Sequence, residues 1–389
     1  MRLLVLTSSF PLFPGDGRAA AGLFAADLAA VLAGAGHDIL VATPDRPGEK
    51  TAWDGFRVEW MPWAGGDRPL SQIPFGRPSQ WPGVASLAWG LRRRIRGLAA
   101  SHRSEATIAL WSVPCGWWAR DLRRRAGLPY VNWCLGSDIW LFGRRRLLRC
   151  FLRAALHDSE ANFGDGLDLA AEAEAISGRR CEFLPSTRNL PPREEGGAEE
   201  PTGRRPLFFF VGRYLPVKGA DVLLEAFALY LRRGGHGRLV MRGGGPLADD
   251  LRRRGGAAGL AGRVEVGGFA DAPELARWLD ACDVVVVPSR LESIPLIYSD
   301  ALQRGRPLIV TEVGDMGVLM RRHRAGIAVP PEDPEALAAA LLAVDRDGTG
   351  HWADAVRRAA AEFELEKSAE SLVAPLRRAI AGREEPGVG

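Results

Sequence analysis

Three short segments in the second half of the chain place glycines and charged groups directly after apolar runs. The first is Val211-Gly212-Arg213-Tyr214-Leu215-Pro216-Val217-Lys218-Gly219. A glycine at a strand end lets the backbone come close to a ligand. Arg213 and Lys218, five residues apart, put one cation on the loop and one at the start of the next helix. With the partial positive charge of that helix N-terminus they suit a diphosphate; the plainer alternative is two cations on a solvated turn. The segment is not a P-loop, because G-x-x-x-x-G-K-[ST] is absent. The second is Met241-Arg242-Gly243-Gly244-Gly245-Pro246, a tight turn at Gly244 that a nucleotide could approach, with proline placed to open a helix. Many strand-to-helix turns are as rich in glycine, so this one carries little alone.

The third segment is the most informative: Pro288-Ser289-Arg290-Leu291-Glu292-Ser293-Ile294-Pro295-Leu296-Ile297-Tyr298-Ser299-Asp300, after an apolar strand at 283–287. Pro295 can open a helix whose free N–H groups face the loop. Asp300 lies eight residues after Glu292, just over one turn into that helix. Carboxylates accept strong hydrogen bonds, so the two acids suit ligand hydroxyls, with the helix end between them facing phosphate. A helix-capping acid plus a surface acid is the alternative.

In this order and spacing the three segments resemble the retaining glycosyltransferases of family 4 (glycosyl transferases group 1), which have the GT-B fold. That family carries a G-R-x-x-x-x-K-G turn, a G-x-G-P turn, and P-S-x-x-E followed eight residues later by a second glutamate. The resemblance implies that Arg213 and Lys218 hold the donor diphosphate, Glu292 the transferred sugar and Asp300 the ribose hydroxyls. It places backbone around Ser293, Ile294, Pro295 and Leu296 along the sugar and phosphates, Gly244 in the nucleotide turn, and Phe269 near the nucleobase. In the first half, Ser8-Ser9-Phe10-Pro11-Leu12-Phe13-Pro14-Gly15-Asp16-Gly17, before Gly22-Leu23-Phe24, resembles the family's first loop over the donor phosphates. Leu135-Gly136-Ser137-Asp138 resembles its H-G-S-D turn beside the reacting carbon, which makes Asp138 and Glu292 the catalytic candidates. Two residues depart from the pattern: Leu135 stands where many relatives have histidine, and Asp300 is one methylene shorter than the usual glutamate. Either marks different substrates or a weakened enzyme; the intact diphosphate set favours the first.

These segments need a parallel sheet to hold them. Apolar stretches at 3–7, 38–43, 107–111, 130–134, 161–164 and 182–184 alternate with helical stretches, beginning with a helix over 19–35. A second series runs through 207–211, 238–242, 264–266, 283–287, 308–310 and 327–329, with a helix over 219–233 after the first of them. Such alternation predicts βαβ units. Between the series, 191–201 is polar and rich in proline, glycine and acid, as a linker is. The expected organisation is α/β, with two doubly wound Rossmann-like domains facing a central cleft. Their bounds are 1–190 on the acceptor side and 207–365 on the nucleotide-sugar side, joined by a linker at 191–206. A C-terminal helix and tail at 366–389 pack back on the first domain. At 389 residues, 47% hydrophobic and 25% charged, the chain has room for two such cores.

Composition narrows the setting. The five cysteines form no C-x-x-C pair and read as buried reduced thiols of a cytoplasmic protein. The first residues are too short an apolar run for a signal peptide, and no stretch is long enough to span a bilayer. Residues 1–190 carry +6 and the remainder −2, and ten of the twelve tryptophans precede residue 141. Arginine clusters at 92–96, 123–125 and 144–153 either meet an anionic membrane beside a lipid-linked acceptor or lie on solvated helix faces. They come with no nucleic-acid module. The expected donor is a UDP- or GDP-sugar and the acceptor a carbohydrate or a lipid-linked one. No cofactor or metal is expected, since no D-x-D follows a strand. A sugar phosphorylase is disfavoured with only Lys50, Lys218 and Lys367 to hold pyridoxal phosphate. The non-enzyme alternative is a pseudo-glycosyltransferase serving as a binding partner in polysaccharide assembly.

Overall fold

The structure, a computed structural model, describes residues 1–14, 16, 22–63, 90–140, 142–143, 146–192 and 205–384. It divides into one unit of Met1–Arg188 with Leu365–Gly389, and a second of Asn189–Glu364. The linker core at 193–204 lies outside the described residues.

The first unit is built on seven parallel strands: β1 Arg2–Leu6, β2 Asp38–Pro44, β3 Arg57–Met61, β4 Ala106–Leu110, β5 Tyr130–Cys134, β6 Ala161–Gly164 and β7 Cys181–Phe183. Their order is β3-β2-β1-β4-β5-β6-β7. Strand β1 shows why the fold forms. Its continuous apolar run alternates between two cores, with Leu3 and Val5 on one face and Leu4 and Leu6 on the other. Both faces are covered, as an all-parallel sheet requires. The described helices are α1 Leu23–Gly34, α2 Leu91–Ser101, α3 Trp117–Ala126, α4 Ser137–Trp140, α5 Arg146–His157 and α6 Leu167–Ser177. Helix α1 and the C-terminal residues Leu365, Leu372 and Leu376 share the Leu3–Val5 core. Helices α2 and α3 take the other face through Ile95, Trp118 and Leu122.

Strand β3 has no counterpart among the sequence expectations. Its residues Arg-Val-Glu-Trp-Met alternate charge with apolar groups and are mostly half-exposed, as on a sheet edge, so no apolar run announces it. Helix α1 begins at Leu23 where the sequence suggested 19; residues 17–21 lie outside the described set.

The second unit holds six parallel strands: β8 Leu207–Val211, β9 Arg238–Arg242, β10 Val264–Val266, β11 Val284–Val287, β12 Leu308–Thr311 and β13 Gly326–Val329. Their order is β10-β9-β8-β11-β12-β13. Helices α7 Ala220–Arg232, α8 Ala248–Gly255, α9 Ala272–Ala281, α10 Leu296–Gln303, α11 Gly314–His323, α12 Pro334–Asp347 and α13 Ala353–Ala360 complete it, and α14 Leu365–Glu384 returns to the first unit. Phe208 and Phe210 point into one core, while Phe209 stacks on Trp278 at 6.1 Å on the other face. Helices α9 and α12 start on Asp271 and Asp333, whose carboxylates accept the N–H of Glu274 and Ala336 three residues on.

Candidate functional site

In each sheet the chain winds outward in both directions from one pair of neighbouring strands, β1/β4 in the first and β8/β11 in the second. At such a switch point the loops leaving the two carboxyl ends diverge and open a crevice. In the second unit those loops are the Arg213–Gly219 turn and the Ser289–Leu296 turn. Arg290 and Val217 are 73 residues apart in sequence, yet Arg290 N–H donates to the Val217 carbonyl at 2.8 Å.

Glycine makes that contact possible. Lys218 ends a short 3-10 turn, Pro216–Lys218, and Gly219 follows at φ +66, where L side chains pay a steric penalty. A Cβ there would sit 1.9 Å from the Pro288 carbonyl oxygen. Arg290 locks the same junction. It donates to both Asp221 carboxylate oxygens at 2.9 Å, to Glu332 at 2.9 Å and to the Pro216 carbonyl. Burial alone would raise the Asp221 pKa, but the Arg290 bonds outweigh it and hold the carboxyl below its ordinary range.

The side chains of Lys218 and Glu292 meet in an ion pair, each 19% exposed. Neither has another charged partner among the described residues. Arg213 is exposed on the loop before them and has no side-chain partner among the described residues. Glu292's backbone is fixed from behind by the start of α11. Gly314, at φ +49, would put a Cβ 2.0 Å from the Glu292 carbonyl oxygen, and Ser293 Oγ donates to Asp315 Oδ2 at 3.1 Å. Ile294 and Pro295 follow half-buried, with Pro295 capping α10 and Leu296 opening it.

The neighbouring loops continue the rim. Tyr214 N–H donates to the Gly244 carbonyl at 2.8 Å and Gly243 N–H to the Gly268 carbonyl at 2.8 Å. Gly244 itself faces open space. Phe269, 68% exposed at the turn after β10, presents an uncovered ring. Asp300 is different: it is fully buried within α10.

In the first unit, Asp138 is fully buried in α4, the short helix that follows β5, where its carboxylate accepts Ser112 N–H at 2.7 Å and Leu135 N–H at 3.2 Å. Burial pushes its pKa up to about 6 against the lowering effect of those N–H groups. Leu135, where a histidine was the pattern, packs against the hydrophobic core. Trp111, at the end of β4, has φ +65, a rare conformation for a bulky residue and one found at functional sites. Gly15 and Gly17 lie outside the described residues. Asp16 between them accepts Leu12 N–H at 3.2 Å.

Sequence reasoning assigned no role to Arg290, Asp221, Gly314, Asp315 or Trp111. Gly314 follows the apolar strand β12, the same signal that marked the other loops. Nothing in the sequence announces a left-handed tryptophan. In the first two arginine clusters Arg92, Arg94, Arg96, Arg123 and Arg125 are held in ion pairs. Asp121 takes Arg92, Arg96 and Arg125, Asp158 takes Arg120, and Glu160 takes Arg123. Residues 144 and 145 lie outside the described set. Four cysteines are buried, but Cys150 is exposed on α5, which corrects the expectation that all are interior; it falls on the solvent side of an amphipathic helix. Among the described residues no helix is long and apolar enough to cross a membrane.

Residues 205–347 match the family model of glycosyl transferases group 1. The chain is 31% identical over 185 residues to alpha-D-kanosaminyltransferase of Streptomyces kanamyceticus, covering 47% of this chain and 43% of that protein. It is 34% identical over 179 residues to the D-inositol 3-phosphate glycosyltransferase of Jonesia denitrificans, covering 43% and 42%. The matches thus span less than half the length of these relatives. Among solved structures, sucrose-phosphate synthase from Thermosynechococcus elongatus superposes with a TM-score of 0.73 at 20% identity, covering 98% of this chain and 100% of that one. Anabaena HepE in complex with UDP gives 0.68 at 17% identity, covering 97% and 100%. The two parallel-sheet units are those of the GT-B fold.

Proposed function

We propose that this protein, whose residues 205–347 match the family model of glycosyl transferases group 1, moves a sugar from a nucleoside-diphosphate sugar to a hydroxyl acceptor with retention of configuration. The observation that carries the reading is the meeting of two charged loops at the switch point of the second sheet, with Lys218 and Glu292 side by side and Arg213 open to a ligand. The names of the relatives describe glycosyl transfer, and Anabaena HepE binds UDP-glucose; both support a UDP- or GDP-sugar donor.

The hard step in such a transfer is the negative charge that gathers on the departing diphosphate. Arg213, Lys218 and the N–H groups at the start of α10 supply preorganised positive charge for it without a metal. Glu292 accepts a hydroxyl of the transferred sugar. Front-face attack by the acceptor hydroxyl is the route that needs no nucleophilic side chain. Phe269 offers its exposed ring to the base. Asp300 reaches the ribose only if α10 shifts, because its carboxylate is buried.

The acceptor is a carbohydrate or a lipid-linked one, made for glycan or glycolipid assembly in the cytoplasm. For a lipid-linked acceptor, the exposed Arg149, Phe151 and Arg153 of α5 would rest on an anionic membrane. Sedimentation with acidic-lipid vesicles tests that contact, and no binding at low salt rules it out.

The decisive test is a thermal-shift screen with UDP-, GDP-, ADP- and dTDP-sugars, since a ligand of the native state raises the melting temperature. One donor class is expected to shift it, and Lys218→Ala to reduce the shift and cut turnover by about 100-fold or more. No shift with any donor at millimolar concentration would favour the pseudo-enzyme.

A further inference from the structure

Lys218 and Glu292 are matched to different parts of the donor, the cation to diphosphate and the carboxylate to sugar, yet in the structure they hold each other. We propose that this pair discriminates the sugar-charged nucleotide from the spent nucleoside diphosphate, so that losing the sugar loosens the site's grip on the product. The proposal rests on the donor-site reading above and adds a selectivity to it.

The geometry leaves only the side chains free to choose. Lys218's main chain is held by its N–H bond to the Leu215 carbonyl at 2.9 Å and by Gly219 against Pro288. Glu292's is held by Gly314. Both main chains are closely packed from behind, so rotation of the two side chains, each 19% exposed, is the simplest way to make or break the pair. Nearby Arg290 cannot substitute as a cation, because Asp221 and Glu332 occupy it.

When a nucleotide-sugar binds, both partners gain. Lys218 exchanges Glu292 for phosphate while Glu292 exchanges Lys218 for a hydroxyl. When the sugar leaves, Glu292 has no hydroxyl and competes with the β-phosphate for Lys218. That competition matters because the spent nucleotide ends in a free terminal phosphate, with a second ionisation at about pH 6 and so more negative charge at pH 7 than the glycosyl-blocked donor. Simple charge attraction to Arg213 and Lys218 would therefore hold product more tightly than substrate. An internal carboxylate returning to Lys218 opposes that trap.

Isothermal titration with UDP and UDP-glucose, or the corresponding GDP pair if the donor screen selects guanine, tests this. Glu292→Gln is expected to tighten UDP binding by up to about five-fold, the range of a partly exposed ion pair, while weakening UDP-glucose. In a Lys218→Met background the same Glu292→Gln change is expected to leave UDP binding unaltered, which isolates the pairwise effect. Glu292→Ala serves in place of the glutamine variant should that fold poorly. UDP binding that is unchanged or weaker in Glu292→Gln, or a gain that persists without Lys218, overturns the discrimination while leaving the donor site standing. Failure of wild type to bind any of the nucleotides overturns both.

Discussion

Gly219→Ala tests the central joint of the second unit. The residue sits at φ +66, and its added Cβ would lie 1.9 Å from the Pro288 carbonyl oxygen. The left-handed conformation costs a non-glycine residue about 1–2 kcal/mol. Overpacking against a backbone atom adds about 1–3 kcal/mol, and relief is difficult because the Val217–Arg290 bond on one side ties the two loops together. The sum is about 2–5 kcal/mol, which for a unit of this size lowers the melting temperature by roughly 10 °C. Differential scanning calorimetry measures it directly. Gly244→Ala is the matched control: its Cβ meets nothing within 4 Å, so its change stays within about 0.5 kcal/mol. A Gly219→Ala protein that melts within about 2 °C of wild type would refute the reasoning. So would a Gly244→Ala protein that falls equally far.

Arg290→Ala is expected to cost about 1–2 kcal/mol in urea melts, discounted because the Asp221 pair is 26% and 32% exposed. Arg290→Lys is expected to recover little of that, because one ammonium cannot span both Asp221 oxygens. Phe269→Ala is expected to leave the melting point unchanged, since the ring is 68% exposed, but to weaken donor binding by about 5- to 100-fold in titration calorimetry if it stacks on the base. Asp138 gives a pH dependence. Its folded pKa of about 6 lies above the ordinary carboxylate value, so the folded state binds the proton more tightly than the unfolded chain. The stability it contributes is complete below about pH 4 and is lost as pH rises through about 6, an effect of about 3 kcal/mol. Asp138→Asn flattens that slope in urea melts across the range, and an equal slope in both proteins would contradict the assignment.

The legible parts of the chain were those governed by local rules. Strand β8 could be read because five apolar residues in a row mean burial on both faces, and the loops after it only through their joint order and spacing, since glycine-rich turns between strand and helix are common. Strand β3 was not legible, because an edge strand that alternates Arg57, Val58 and Glu59 looks like surface. Asp300 shows a second limit. Spacing placed it on a helix after Glu292, but burial depends on what packs over α10, and eight residues of separation carry no information about that. Trp111's left-handed backbone runs against the preference of a bulky residue, so local propensity points the other way.

The pairing of Lys218 with Glu292 lies between these cases, and topology supplies the missing step. The two residues are 74 positions apart, and three strands, β9, β10 and β11, are added after Lys218 before Glu292 is reached. If the sheet grew in one direction only, the two loops would finish three strands apart, about 14 Å at the usual spacing. Reversal after β10 returns the chain to the free side of β8, so β11 pairs directly with it and the loops become neighbours. The glycines then decide how closely they approach, and the charges decide what they do on meeting. Separation along the sequence is therefore a poor guide to this site; the order in which strands join the sheet is a good one.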